Sequence, residues 1–151
     1  MSDVIFYHLT DTPLERALPQ LLARALAQGW RIELRGRDAA RIDWLDRALW
    51  LGQDDGFVPH GVAGGPHDAL QPVLLTQAPV TPPRDCLMTF DSADVAADEA
   101  RLAARVCILF DGHDDAAKTA ARAQWRALTN AGLGARYWAQ QDGGWVMKHE
   151  R

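Results

Sequence analysis

The sequence is poor in the side chains that most often carry covalent catalysis. It contains two cysteines in 151 residues, and Cys86 and Cys107 each lie inside an apolar, strand-like segment. Neither belongs to a C-x-x-C pattern, so we expect buried free thiols rather than a disulfide or metal ligands. The serines are Ser2 and Ser92, and neither lies in the G-x-S-x-G pattern of serine hydrolases. We therefore expect no catalytic residues.

Glycine-rich phosphate-binding loops are also missing. The connection after the first strand-like segment, residues 8–13, contains no glycine, so its backbone cannot approach a pyrophosphate closely. The P-loop pattern G-x-x-x-x-G-K-S/T occurs nowhere. Two groups could offer metal ligands: His60 with His67 and Asp68, and His113 with Asp114 and Asp115. Their spacings match no familiar ligand pattern, and we expect neither a metal nor a cofactor.

Long apolar runs and a basic excess are absent as well. The longest apolar runs, such as residues 106–110, are far shorter than the roughly 20 residues that span a bilayer. The first residues lack the basic patch of a signal peptide. The 16 Lys and Arg are outnumbered by 20 Asp and Glu, giving a net charge of −4, whereas proteins that hold nucleic acid directly are usually basic. We expect a cytoplasmic protein with no membrane contact and no strong direct binding to nucleic acid.

Strand-like and helix-like segments alternate along the chain, as hydrophobic periodicity shows. The predicted strands are residues 4–9, 30–34, 73–76, 86–90 and 105–110, followed by a hairpin of 135–140 with 145–148. The predicted helices are 14–28, 38–50, 94–102 and 114–131, and the Gly-, Pro- and His-rich segment 51–72 is predicted to be a long loop. This alternation predicts a single three-layer α/β domain over residues 1–151, with a mostly parallel sheet and a C-terminal β-hairpin.

Three local expectations follow from individual residues. Asp11 or Thr12 is expected to cap the first helix, and Pro19 is expected to kink that helix or delay its start. In the second strand, apolar residues alternate with Arg31 and Glu33, the pattern of a half-buried strand. In the second helix, the apolar positions at helical spacing are Ile42, Leu45, Leu49 and Trp50.

The last predicted helix carries a basic stripe with an aromatic residue. Lys118, Arg122 and Arg126 are spaced i, i+4, i+8, and Trp125 falls with them inside an arc of about 100°. Three cations beside an indole suit an acidic peptide that ends in an apolar side chain. The alternative is a solvated helix face, in which Asp114 pairs with Lys118 and the cations complement the helix dipole. From spacing alone the solvated face is favoured.

A second aromatic feature surrounds an acidic turn. Trp50 precedes the turn, residues 53–55, and Phe57, Val58 and Pro59 follow it. Large apolar residues in this arrangement could belong to the core or to a partner surface. From spacing alone the core is favoured.

These same segments resemble a known family. The opening Val4–Leu9 resembles the F-Y-x-L start of DNA polymerase III chi subunits. Residues 41–50, followed by Phe57–His60, resemble the L-D-x-x-L-W…F-V-P-H segment of that family. The final helix and the aromatic pairs Tyr137-Trp138 and Gly144-Trp145 resemble the C-terminal region of chi subunits. The likeness covers the chain in order, with F-V-P-H as its most specific part, and is weakest over residues 61–104.

The resemblance implies a Rossmann-like α/β fold without a nucleotide-binding loop and a non-catalytic adaptor role. Chi subunits bind the acidic C-terminal tail of single-stranded DNA-binding protein with the last helix, at positions that correspond here to Lys118, Arg122, Trp125 and Arg126, although Tyr is common where Trp125 stands. They also contact the psi subunit of the clamp loader, through a surface that corresponds to Trp50, Phe57, Val58 and Pro59. A direct single-stranded DNA binder and a small nucleotide-binding enzyme remain the alternatives.

Overall fold

The computed structural model describes residues 3–51, 59–142 and 144–151. The strands in this part of the chain are β1 (Asp3–Leu9), β2 (Ile32–Arg35), β3 (His60–Val62), β4 (Val73–Thr76), β5 (Cys86–Thr89), β6 (Arg105–Asp111), β7 (Gly134–Gln141) and β8 (Gly144–Glu150). The α-helices are α1 (Leu14–Ala27), α2 (Ala39–Leu51), α3 (Ala97–Leu102) and α4 (Asp115–Asn130). A short 3₁₀ helix spans Asp68–Leu70.

The eight strands form one open sheet in the order β3-β4-β2-β5-β6-β1-β7-β8. Neighbouring strands pair in parallel except β7 and β8, which form the predicted antiparallel hairpin. Residues of α1 and α2 share one hydrophobic cluster with the sheet, and residues of α3 and α4 share the other. The helices therefore cover both faces, and the predicted α/β class with a mostly parallel sheet is confirmed. None of the helices in the described ranges is long and apolar enough to cross a membrane.

β1 lies inside the sheet, between β6 and β7. Its Val4 and Phe6 belong to the cluster under α4, and Leu9 belongs to the cluster under α1 and α2. A strand covered on both faces has no solvent-facing side, which explains its continuous apolar run. The two cysteines are buried and free, as predicted, on the neighbouring strands β5 and β6.

The predicted loop 51–72 is wrong in its described part, because β3 and the 3₁₀ helix lie within it. Polar contacts stabilise this segment. Because such contacts do not require regularly spaced apolar residues, the sequence shows no hydrophobic periodicity here. The Asp68 carboxylate accepts hydrogen bonds from the amides of Gly64 and Gly65. The Arg84 guanidinium donates to the carbonyl oxygens of Asp68 and Gln71.

The half-buried pattern predicted for β2 is also wrong, because all four of its residues are buried. The strand begins at Ile32, so Trp30 and Arg31 precede it. Glu33 and Arg35 point to the α3 side, where Arg35 Nε donates to Glu33 Oε2 at 2.7 Å and Nη2 donates to Glu99 Oε1 at 2.8 Å. The polar side chains of this strand therefore contact one another and Glu99 in a buried charge network, and they do not face solvent.

Hydrogen bonds within this network shift the pKa values of Arg35 and Glu99. Burial would lower the pKa of the Arg35 guanidinium, but hydrogen bonds to Glu99 and Glu33 outweigh burial and raise that pKa above its ordinary value. The hydrogen bond from Arg35 lowers the pKa of Glu99. Thr76 Oγ1 completes the site by donating to Glu33 Oε2 at 2.7 Å.

The start of α1 differs from the prediction as well. Its N-cap is Pro13, which makes no side-chain cap, so neither Asp11 nor Thr12 caps the helix. The amides of Thr10, Asp11 and Thr12 instead donate to a single atom, Gln140 Oε1 of β7, at 2.9, 2.9 and 3.0 Å. The turn after β1 is therefore fastened to the C-terminal hairpin. A local caps pattern cannot reveal a partner about 130 positions away.

The third helix was predicted from residue 94 but begins at Ala97, whereas α2 follows its predicted signal. The Asp38 carboxylate accepts from the Ala40 amide at 3.0 Å, as an N-cap should. α1 includes Pro19 and begins at Leu14, so the proline does not delay its start. In α2 the buried residues are Ile42, Leu45 and Leu49, and Trp50 is 44% exposed, which corrects its expected place in the core.

Candidate functional site

The helix α4 is fixed at both ends and along its inner face. Asp114 caps the N-terminus through Oδ1, which accepts from the amides of Ala116 and Ala117. Arg101 Nη2 donates to the carbonyl of Ala131, just beyond the last turn, at 2.8 Å. Ala121 and Leu128 are buried against the sheet. With this face packed, the polar stripe of the helix is held at the surface.

The three cations of the stripe differ in their partners. Arg122 and Arg126 are exposed, and no carboxylate in the described ranges lies within salt-bridge distance of either. Lys118 is partly covered, and its Nζ lies 3.2 Å from Asp115 Oδ1. The expected pairing of Lys118 with Asp114 is wrong, because the Asp114 carboxylate is used as the N-cap. Two of the three cations are therefore open to an incoming anion.

Trp125 is half-buried beside these cations. Its ring lies 5.4 Å from the ring of Phe6, with the planes tilted by 58°, and 6.4 Å from the ring of Tyr137 in an edge-on arrangement. The inner side of the indole thus packs on the core cluster of the sheet, and the rest stays accessible. An indole held in this way presents a rigid apolar surface at little further cost in side-chain entropy.

The structure adds three residues that spacing along the chain did not single out for this site. Tyr137 of β7 lies between Trp125 and His149, and its ring centroid is 5.9 Å from the His149 ring. The Tyr137 hydroxyl lies 2.7 Å from Nδ1 of His8 on the neighbouring strand β1. Strand pairing creates this aromatic and imidazole group from residues far apart in the chain. Helical periodicity within α4 carries no trace of it.

Burial shifts the pKa values of Tyr137 and His8. It raises the pKa of the Tyr137 hydroxyl above its ordinary value. It also lowers the pKa of His8, and the nearby cation Lys118 acts in the same direction. A neutral His8 can accept a hydrogen bond from the Tyr137 hydroxyl at Nδ1, which is consistent with the short distance between these two atoms. Tyr137 is therefore held in one orientation beneath the stripe.

Gly112 lets the turn before α4 approach His8. A Cβ atom at this position would lie 2.0 Å from His8 Nε2 and 2.8 Å from the carbonyl oxygen of Leu9. The Gly112 amide donates to that same carbonyl at 2.7 Å. Any side chain at this position would push the start of α4 away from β1, so the glycine fixes the distance between the stripe and the sheet.

The second predicted surface is described in part. Trp50 is 44% exposed, and its ring stacks at 4.2 Å on the ring of His60, with a tilt of 33°. Pro59 is exposed. Phe57 and Val58, the other two residues predicted there, lie outside the described residues. Trp50 is thus a surface residue whose ring packs on His60 of β3, near the edge of the sheet opposite the hairpin.

The candidate metal ligands have protein partners. His60 is buried, with Nε2 3.1 Å from Asp46 Oδ1. His113 Nε2 lies 2.8 Å from the carbonyl oxygen of Thr10. In the ranges that the structure describes, no three His, Cys, Asp or Glu side chains are grouped as a metal site would require.

Residues 1–136 match the family model described as DNA polymerase III chi subunit, HolC. The matched range includes β1 to β6, all four helices and the beginning of β7, and therefore every residue of the basic stripe. It ends at Arg136, so Gln140 and β8 lie beyond it. No curated protein matches the chain.

Proposed function

This chain belongs to the DNA polymerase III chi subunit family, an accessory subunit of the replicative polymerase, and we propose that it acts there as a non-catalytic adaptor in the cytoplasm. Its α4 binds the acidic C-terminal tail of single-stranded DNA-binding protein, and the psi subunit links it to the clamp loader. The observation that supports this function best is the pair of exposed arginines, Arg122 and Arg126, that lack a carboxylate partner in the described chain and flank the half-buried Trp125.

The cations receive the acidic residues of the tail. Arg122 and Arg126 break no ion pair to do so, whereas Lys118 exchanges its contact with the Asp115 carboxylate for one with the tail. Each exposed ion pair contributes only about 0.2–1 kcal/mol to binding. The stripe therefore orients the tail and accelerates encounter more than it supplies affinity.

The aromatic group supplies the apolar half of the site. Burying a large apolar side chain contributes about 1.5–3 kcal/mol, as much as several exposed ion pairs together. Trp125 and Tyr137 already pack edge to face, and the Tyr137 hydroxyl is fixed by His8. A tail that ends in an aromatic residue can pack against this preformed surface without ordering it first.

The Trp50 surface is the proposed contact with psi. It lies on α2, on the sheet face opposite α4, so psi and the tail can bind at the same time. Trp50 rests on His60, and Pro59 is exposed beside it. Phe57 and Val58 complete the proposed surface. A stacked tryptophan of this kind is typical of residues that dominate the energy of protein interfaces.

Two observations favour the adaptor over the other candidates. A nucleotide would need free amides in the turn after β1, but those of Thr10, Asp11 and Thr12 already donate to Gln140. A direct single-stranded DNA binder would use the stripe for phosphates, but the net charge of −4 opposes a long polyanion.

The test is a fluorescence-anisotropy titration with a labelled acidic peptide that ends in phenylalanine. We expect saturable binding by the wild type, with a dissociation constant about two- to fivefold lower than that of Arg122→Ala, because one exposed arginine–carboxylate pair worth up to about 1 kcal/mol is lost. Arg47→Ala is the matched control, because it removes the same charge from an exposed arginine on α2.

A salt series separates the two halves of the site. Rising salt should weaken binding without abolishing it, because screening acts on the cations and leaves the apolar contact intact. Absence of binding by the wild type, or an equal loss in Arg122→Ala and Arg47→Ala, would remove the proposed site from α4.

A further inference from the structure

A second groove lies on the opposite face of the sheet from α4, between α1 and the C-terminal hairpin. Its volume is about 410 Å³, within the range of small-ligand and short-peptide pockets. The groove is lined by Arg16, Gln20 and Arg24 of α1, with Thr12 before them and Gln140 and Trp145 of the hairpin opposite. No residue of the basic stripe contributes to it, so its binding properties are independent of those of α4.

The charges in this groove have one sign. Arg16 and Arg24 are exposed, and neither has a carboxylate within salt-bridge distance in the ranges described. They are eight residues apart, which places them about 12 Å apart along one side of the helix. No aspartate or glutamate is among the lining residues. In a chain with a net charge of −4, this is a local concentration of unpaired cations.

The larger cleft at the carboxyl ends of the parallel strands provides a contrast. It is lined by Asp11, Glu15, Asp91, Asp111 and Asp114, against the cations Arg37 and Arg41. Arg41 is already paired there, with its Nε 2.7 Å from Asp91 Oδ2. An anion would be repelled from this cleft and attracted to the α1 groove. The two clefts therefore differ in the sign of the ligand that they suit.

We propose that the α1 groove is a second binding site for an acidic peptide segment, separate from the site on α4. The guanidinium groups of Arg16 and Arg24 match carboxylates, which they can bind with two parallel hydrogen bonds each. The Gln20 side chain between them can pair with a peptide backbone. Gln140 uses Oε1 for the turn after β1, and its Nε2 remains a donor for a peptide carbonyl.

Trp145 gives this groove an apolar wall, as Trp125 does on the other face. Its ring is half-buried and meets the ring of Tyr7 edge-on, with centroids 5.0 Å apart. The indole is thus held rigid from below, and its accessible part faces the groove that it lines. The combination of two arginines and a fixed indole repeats the chemistry of the α4 site with different residues.

The charge beyond the groove favours a short peptide over a nucleic acid strand. The Thr12 amide donates to Gln140 Oε1, and Gln141 pairs with Gly144, so Asp11 and Asp142 both adjoin the same end of the groove. A phosphate chain that continued beyond the groove would approach these carboxylates. A short peptide can end before these carboxylates, whereas a longer polyanion that ran past them would be repelled.

The test uses the full chain, labelled with ¹⁵N, and follows the indole N–H signals of Trp145 and Trp125 by NMR. The probe is a short peptide of alternating aspartate and glutamate with both termini blocked. We expect a saturable shift of the Trp145 signal in the wild type and in Arg122→Ala, in which the α4 site is weakened. This arrangement separates the α1 groove from the proposed adaptor site.

In the double variant Arg16→Ala, Arg24→Ala, the affinity for the peptide measured from the Trp145 signal should fall roughly tenfold, because two exposed ion pairs are removed. Arg37→Ala with Arg47→Ala removes the same charge elsewhere and should leave the response unchanged. The unperturbed Trp145 signal of each free variant verifies folding. Response of Trp125 alone, equal losses in both double variants, or a Trp145 shift with oligothymidylate and none with the peptide would overturn the proposal.

Discussion

Arg35 is a cation held almost entirely inside the protein, with 3% of its surface exposed. It donates to both oxygens of Glu33 and both of Glu99, and to the carbonyl oxygen of Asp94. Removing one member of such a network leaves the remaining charge buried without a partner. That residual charge, rather than the lost contacts, dominates the energetic cost.

Arg35→Met should therefore lower the free energy of unfolding by about 3–5 kcal/mol, since Glu33 stays buried and unpaired. Arg41→Met is the matched control, because the Arg41–Asp91 pair lies at the surface and should cost only about 1 kcal/mol or less. Urea denaturation of both variants measures the difference. Similar losses in the two would contradict the role assigned to the buried network.

The same residue marks a limit of prediction from sequence. Alternation of apolar and polar residues in β2 predicts a solvent face, because a sequence does not show that Glu33 and Arg35 neutralise each other across the strand. Trp50 shows the opposite error, since helical spacing placed it with the core and the structure places it at the surface. Tyr137 joins the site through strand pairing, which no local pattern records.

At the scale of elements, Gln140 joins β7 to the turn between β1 and α1. Gln140→Ala removes three hydrogen bonds at once, each worth about 0.5–1.5 kcal/mol, but water can reach part of this turn, so we expect a total loss of about 1–3 kcal/mol. Hydrogen exchange provides a local measurement, and the amides of Thr10, Asp11 and Thr12 should lose protection.

Gln141→Ala is the control for this change. Among the contacts described, the Gln141 side chain accepts a hydrogen bond only from the exposed Lys148. It should leave protection of the three amides intact. Unchanged protection in Gln140→Ala would mean that the turn is held by other contacts.

Most elements were predictable from hydrophobic period, and for α2 and α4 the predicted caps agree with it. The helices α1, α2 and α4 and the strands β1, β4, β5 and β6 lie where apolar spacing places them. The 3₁₀ helix was missed because Asp68 and Arg84 hold this segment through backbone amides and carbonyls, and β3 was missed because its three residues are held by pairing with β4. Hydrogen bonds of this kind depend on distant partners. The peptide site on α4 remains a prediction from spacing and family likeness. The structure adds Tyr137, which lies beside Trp125, and His8 and His149, which lie beside Tyr137.

At the scale of the whole molecule, buried titratable groups limit stability at both ends of the pH range. The Cys86 side chain and burial raise the pKa of the Cys107 thiol, and burial raises the pKa of Tyr7 and Tyr137. Their contribution to stability is complete below the unfolded pKa values, about 8.5 for Cys and 10 for Tyr, and is lost as pH rises above them.

His8 acts in the opposite direction. Burial lowers its pKa, so its contribution is complete above the unfolded value of about 6.5 and is lost as pH falls. We therefore expect the urea midpoint to be highest between about pH 6.5 and 8.5. His8→Gln should flatten the acidic side of this curve and leave the alkaline side unchanged. An acidic limb as steep in His8→Gln as in the wild type would assign the loss to other groups.

The position of β1 has a consequence for synthesis on the ribosome. β1 precedes the other strands of the sheet in the sequence given, and it lies inside the sheet, where Asp3 pairs with Arg105 on one side and with Gly134 on the other. Both partners are translated after β2 to β5, so β1 stays unpaired until β6 has been made. Among the strands described, β2, β3, β4 and β5 can pair with one another before β6 is made. We infer that the nascent chain carries an incomplete half-sheet until β6 is made, and that β1 then joins this half-sheet to β7 and β8.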